Sequence, residues 1–88
     1  MSYTAVSLSP GEWQIMDRLW EKSPRTLMEL VRLLSPDTGW SKSTIATMIT
    51  RLEAKGALTW EGGGKARLYR PAVSRDQITL AQLVQEMK

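Results

Sequence analysis

Between Trp40 and Gly56 the chain reads WSKSTIATMITRLEAKG, a run of hydroxyls and cations with one acid, Glu53. Written as a helix, Ile45, Met48, Ile49 and Leu52 recur at i, i+3, i+4, i+7 and form one apolar stripe. The opposite face carries Ser43, Ala46, Thr47, Thr50 and Ala54, flanked by Thr44 and Arg51. A solvated helix face normally carries Glu, Lys and Gln, which form helices better than Ser or Thr. Small side chains instead let a helix backbone sink into a major groove. Hydroxyls can bond base edges, and threonine methyls can touch thymine methyls. Lys42, Arg51 and Lys55 at the margins suit phosphates. The plainer reading is a marginal surface helix that happens to be poor in glutamate, and the helix alone does not choose between the two.

The elements around this helix must hold it in place. Ser41 is positioned as its N-cap, because a serine hydroxyl can accept from a free first-turn N–H. Trp40 and Ile45 occupy the positions of a hydrophobic staple. Gly56 is the natural stop, since glycine tolerates a left-handed residue after the last turn. Upstream, Ser9, Pro10 and Glu12 read as N-cap, first helical residue and capping-box partner, with Leu8 stapled to Trp13. Trp13, Met16, Leu19 and Trp20 form the expected buried side of this first helix. Lys22-Ser-Pro-Arg25 breaks it. Thr26 and Glu29 make a second capping box, and Leu27, Leu30, Val31 and Leu34 line the second helix. Ser35-Pro-Asp-Thr-Gly39 reads as a turn. Two short helices joined by a turn, the second with a polar outer face, make a helix-turn-helix pattern.

After Gly56 the period changes. Residues 57–61 and 65–70 alternate like strands, joined by Gly62-Gly63-Gly64. Leu58, Trp60 and Leu68 are expected to face the core, with Lys65 and Arg67 near the tip. After a helix-turn-helix, a glycine hairpin with a basic tip is expected to act as a wing on phosphates or the minor groove. The alternative is an edge hairpin whose cations guard against aggregation. Ser74 and Gln77 open a last helix, with Leu80, Leu83, Val84 and Met87 at helical spacing. That stripe is expected either to pack on the first helix or to begin a dimerisation element. The resulting fold class is mainly α with a small β-hairpin, a winged helix-turn-helix. Residues 1–7 form a loose arm, 8–73 the domain, and 74–88 the C-terminal helix.

Composition narrows the chemistry. The 88 residues suit one small core. There are no cysteines and no histidines, so thiolate metal sites, disulfides and imidazole bases are absent. No serine or threonine has an evident activating partner, and the nine acids are scattered. An enzyme is not expected, nor is a cofactor. No apolar run is long enough to span a membrane and no signal peptide is evident, so the expected location is cytoplasmic. The formal charge of +3 is uneven: residues 1–40 hold four basic and five acidic side chains, whereas 41–70 hold six and two. Such a basic footprint suits a polyanion. The rivals to a sequence-specific DNA reader are a winged-helix protein-interaction module and a nonspecific nucleic-acid binder.

The runs LSPGEWQIMDRLW, GWSKSTIATMITRLEAKGAL and RLYRPAVS together resemble the bacterial BlaI/MecI/CopY repressors, and the likeness covers nearly the whole chain. The resemblance implies a winged helix-turn-helix that binds double-stranded DNA at an inverted-repeat operator as a homodimer. It implies repression relieved by an upstream signal. It matches Ser41, Thr44, Thr47 and Arg51 to the recognition helix and residues 65–70 to the wing. The family's operators tend to a TACA/TGTA-type inverted repeat. Two features depart from the family: Ala46 stands where a long polar residue is common, and Lys42-Ser43 where Pro-Lys is common. Members of the family continue into dimerising and sensing segments, so the chain to Lys88 is expected to be a DNA-binding fragment or a shortened relative.

Overall fold

The computed structural model describes residues 8–78. Three helices and a hairpin follow in order: α1 (Pro10–Glu21), α2 (Leu27–Thr38), α3 (Lys42–Ala54), β1 (Leu58–Gly63) and β2 (Ala66–Pro71). The expected arm at residues 1–7 and the Leu80–Met87 stripe lie outside the described residues.

The helix starts follow the local chemistry of their caps. Ser9 N–H donates to Glu12 Oε1 at 2.8 Å, and Glu12 N–H donates to Ser9 Oγ at 3.3 Å. Thr26 and Glu29 repeat the reciprocal pair at α2. Each such cap is worth about 1 kcal/mol. At the end of α3, Gly56 adopts φ 79°, Gly56 N–H donates to Glu53 C=O, and Ala57 N–H donates to Leu52 C=O. This paired closure is a Schellman motif, and it turns the chain sharply from α3 into β1.

The predicted turn at Ser35–Gly39 is corrected by the structure. Helix α2 runs through Pro36 to Thr38, and the connection to α3 is only Gly39, Trp40 and Ser41. Pro36 forfeits one helical N–H. The last turn is closed by other groups: Thr38 Oγ1 donates to Leu34 C=O at 2.8 Å, and Gly39 N–H to Ser35 C=O at 2.8 Å.

Leu30 and Leu34 of α2 meet Ile45, Ile49 and Leu52 of α3 and Met16 and Leu19 of α1 in one apolar cluster. Ile15, absent from the expected stripe of α1, is fully buried. Its surroundings explain this, because α1 packs on α2, α3 and β2 and so buries more than one narrow stripe. Trp13 and Trp20 flank the cluster as an edge-to-face pair with ring centroids 5.3 Å apart.

The hairpin also departs from expectation. Gly62 and Gly63 belong to β1, and the tight turn is Gly64-Lys65, with Gly64 at φ 78°. Leu58 pairs with Pro71, Trp60 with Tyr69, and Glu61 with Leu68. Tyr69 therefore shares the face of Leu58 and is buried, while Leu68 points the other way and is half-buried. Trp60, predicted to face the core, lies on the face of Leu58 and Tyr69 but is 37 % exposed, being nearer the tip than Leu58. The parity difference is confined to β2, where a one-residue shift exchanges Leu68 for Tyr69 as the inward side chain.

Two contacts fasten the hairpin to the helices. Arg25 and Tyr69 exchange backbone hydrogen bonds at 3.1 and 2.8 Å, an isolated antiparallel bridge beside β2. Beyond β2 the chain returns to α1. Trp20 Nε1–H donates to Val73 C=O at 2.9 Å, and Arg75 Nη2 lies 2.7 Å from Asp17 Oδ1. Ser74 and Gln77 form the predicted capping box, residues 75–78 are helical, and Ile78 is buried in the core.

Candidate nucleic-acid interface

Burial of Ile45, Ile49 and Leu52 turns the other side of α3 outward. Lys42, Ser43, Thr44, Thr47, Thr50 and Arg51 are exposed, and Ala46 is half-buried among them. Seven of the eleven predicted contact residues thus lie on one convex ridge, together with the cap residue Ser41.

The hydroxyls on this ridge are oriented. Thr47 Oγ1 donates to Ser43 C=O at 2.9 Å, and Thr50 Oγ1 donates to Ala46 C=O at 3.0 Å. With the donor hydrogen used, each hydroxyl faces outward as an acceptor beside its methyl group. Such a group can receive an adenine N6 or cytosine N4 amino hydrogen while the methyl touches a thymine methyl. At the helix start, Ser41 Oγ accepts from Thr44 N–H at 3.2 Å and lies within 3.3 Å of the Ser43 hydroxyl.

Two recesses border the ridge. The first, about 340 Å³, is lined by Trp40, Ser43, Thr44, Thr47, Met48 and Arg51. Its lining combines two large apolar side chains with three hydroxyls and one guanidinium. The second, about 460 Å³, lies where the start of α2 meets the hairpin, and its lining includes Thr26, Met28, Lys42, Lys65 and Arg67. Three cations from α3, the turn and β2 therefore border one groove.

The ion pairs sharpen this picture. Arg18, Arg25, Lys55, Arg70 and Arg75 all have carboxylate partners. Lys42, Arg51, Lys65 and Arg67 enter no ion pair among the described residues, and all four border the same surface; Lys22 and Arg32 are the other such cations. Lys55, predicted as a phosphate contact, stands 2.6 Å from the Glu12 carboxylate and ties the end of α3 to the start of α1. Burial pushes the Glu12 carboxyl upward, but hydrogen bonds from Lys55 and from Ser9 N–H outweigh it and hold the group below its ordinary value. Sequence patterning assigned Glu12 to the cap and Lys55 to the interface; nothing local linked positions so far apart.

Local patterning placed Trp60 and Arg67 on the hairpin but gave no sign of the contacts they make there. Arg67 stacks on Trp60, its guanidinium carbon 4.1 Å from the ring centroid, and Trp60 Nε1–H donates to Glu53 Oε2 at 2.9 Å. Among the described residues no group of three or more acids, histidines or cysteines is placed to hold a metal ion, and no helix is long and apolar enough to cross a membrane.

Comparison with known proteins gives a consistent neighbourhood. A family model described as penicillinase repressor matches residues 8–88. The penicillinase repressor of Bacillus licheniformis is 35 % identical over 66 residues, covering 75 % of this chain and 52 % of that protein. The solution structure of the DNA-binding domain of the repressor BlaI superposes with a TM-score of 0.75 at 31 % identity, covering 88 % of this chain and 93 % of that one. The monomeric form of Bacillus licheniformis BlaI, solved with the blaP half-operator, superposes with a TM-score of 0.72 at 32 % identity, covering 83 % and 89 %. The chain spans about half the length of the curated relatives it matches, 52 % of one and 50 % of another. The shared fold is the winged helix.

Proposed function

This chain belongs to the penicillinase repressor family, and from that premise we propose that it is a sequence-specific DNA-binding module of a transcriptional repressor. Helix α3 enters the major groove, and the hairpin rests on the neighbouring backbone. The observation that carries this reading is the outward face of α3. It is exposed, built of small and hydroxyl-bearing residues, and bordered by Lys42, Arg51, Lys65 and Arg67 without carboxylate partners among the described residues. A protein-binding face would instead present aromatic or aliphatic anchors.

The roles divide by chemistry. Lys42, Arg51, Lys65 and Arg67 hold phosphates and set register. Ser43, Thr44 and Thr47 face base edges, while Ala46 and Thr50 keep the ridge low enough for close approach. Ser41 orders the helix start, and Lys55 acts through Glu12 on the packing of α1 against α3. Binding over a promoter excludes polymerase, so repression needs no catalysis and no cofactor. Two copies on an inverted repeat would multiply affinity by making the second contact intramolecular. The pairing element is assigned to residues beyond Ile78, and the site of action to the cytoplasm.

Selection of bound duplexes from a random pool, followed by salt titration on the winner, tests the proposal. An enriched inverted repeat, or a single half-site, supports it. With four phosphate contacts per half-site, log K should fall with log salt at a slope of about −3.6. Salt-sensitive binding without any enriched sequence would overturn the specific reading in favour of a nonspecific binder.

A further inference from the structure

Trp60 is an exposed aromatic residue that nonetheless makes two directed contacts, one on its ring face and one at its indole nitrogen. The hydrogen bond to Glu53 joins β1 to the last turn of α3, and the Arg67 stack joins β1 to β2 just before the tip. We infer that Glu53, Trp60 and Arg67 form a latch that fixes the angle of the wing to the recognition helix and holds Arg67 ready for a backbone phosphate. This rests on the DNA-binding reading above. Trp60 and Glu53 are positioning residues within it, acting on DNA through Arg67.

Three observations carry the inference. The two-stranded hairpin is tied to the helices on the β2 side by the Arg25–Tyr69 bridge. The β1 edge is opposite, and the Trp60–Glu53 bond is its side-chain link back to α3. A two-stranded hairpin alone is marginally stable, so an anchor at each edge decides how well its tip is placed. Second, Glu53 is the only acid of α3, at the end of a helix otherwise suited to a polyanion. A carboxylate there opposes binding by charge, and its bond to Trp60 gives it a positive use. Third, a free arginine loses rotamer freedom when it meets a phosphate. Arg67, already stacked at 4.1 Å and bordering the groove with Lys42 and Lys65, has lost part of that freedom on folding.

The test is a salt series of dissociation constants for the 88-residue chain on a duplex that it has itself enriched from a random pool. R67A should lower the salt slope by about 0.9 and weaken binding about three- to tenfold, the loss of one ordered phosphate contact. W60L should lower slope and affinity to the same extent, and the double variant W60L/R67A should bind no more weakly than R67A. Additive losses in the double variant, or a wild-type slope for W60L, would overturn the latch while leaving DNA binding intact. A thermal melt of each variant separates these effects from unfolding. If W60L fails to fold, the pair E53Q and E53L carries the test. Both remove the charge, but only Gln can still accept the indole N–H. A reduced slope for E53L beside a wild-type slope for E53Q supports the latch, and equal slopes overturn it. A wild-type chain that binds no duplex defeats the underlying reading and the latch with it.

Discussion

Lys55 Nζ stands 2.6 Å from Glu12 Oε1, and the Glu12 side chain is 4 % exposed. The same carboxylate caps α1 through Ser9 N–H. One side chain therefore closes the start of α1 and receives the end of α3, so the helix that faces outward is registered against the helix behind it by a charged contact as well as by packing.

Removing one partner should expose the value of this contact. Lys55→Met leaves Glu12 with its cap bond but without its cation. The Lys55 side chain is 38 % exposed, so solvent already screens part of the pair. A loss of about 1–2 kcal/mol is expected, below that of a fully buried pair. Glu12→Gln should cost less than Lys55→Met, because the amide oxygen still accepts from Ser9 N–H and no uncompensated charge remains. Urea unfolding of the three proteins checks the order.

Acid should weaken the fold through the same group. The Glu12 carboxyl is held below its ordinary 4.5 in the folded chain. The native state thus binds that proton less readily than the unfolded chain. The stabilisation is fully present above about pH 4.5 and is lost as pH falls through the lower folded value. Glu29 shifts in the same direction, chiefly through its hydrogen bond from Thr26 N–H, and adds to the same window. Lys55→Met should flatten the fall in melting temperature between neutral pH and pH 3. An unchanged acid profile in that variant would count against the pair.

The hairpin turn separates two glycines that look alike in sequence. Gly64 has φ 78°, whereas Gly62 lies within β1 at an ordinary φ with open space beside it. Gly64→Ala should cost about 1 kcal/mol from left-handed strain, and Gly62→Ala should be neutral. Thermal melts of the two variants locate the turn, and equal costs would return it to the middle of the glycine run.

On DNA, Arg51→Ala and Thr47→Ala should fail differently. Arg51→Ala removes the cation proposed to hold a phosphate, so all sequences should weaken together by a similar factor and the salt slope should fall by about 0.9. Thr47→Ala removes an acceptor and a methyl from the ridge, at a cost of about 1 kcal/mol confined to particular base pairs. Alanine is the better helix former, so this variant should not lose stability. Binding to a panel of single-base operator variants distinguishes the two patterns. A changed base preference for Arg51→Ala, with none for Thr47→Ala, would reverse the roles assigned here.

Much of this molecule is written in short-range signals. The capping boxes at Ser9/Glu12, Thr26/Glu29 and Ser74/Gln77 involve residues three apart, and each forms in the structure. The apolar stripe of α3 determines which residues face outward, because helical spacing alone separates Ile45 from Thr47. Other features depend on contacts between segments distant in the chain, and local patterning does not carry them. Pro36 sits inside α2 because neighbouring hydroxyl and glycine bonds close the turn around it. Strand parity puts Tyr69 rather than Leu68 inward on β2, and that parity follows from where the hairpin turns and from the Arg25 bridge, whereas Trp60 shares the face of Tyr69 and is exposed nonetheless. Lys55 has the composition of an interface residue, yet folding brings it to a carboxylate 43 positions away. Local hydrogen bonding and periodicity determine the elements and the outward face; only tertiary packing decides which charged groups are committed inside the domain and which remain for a partner.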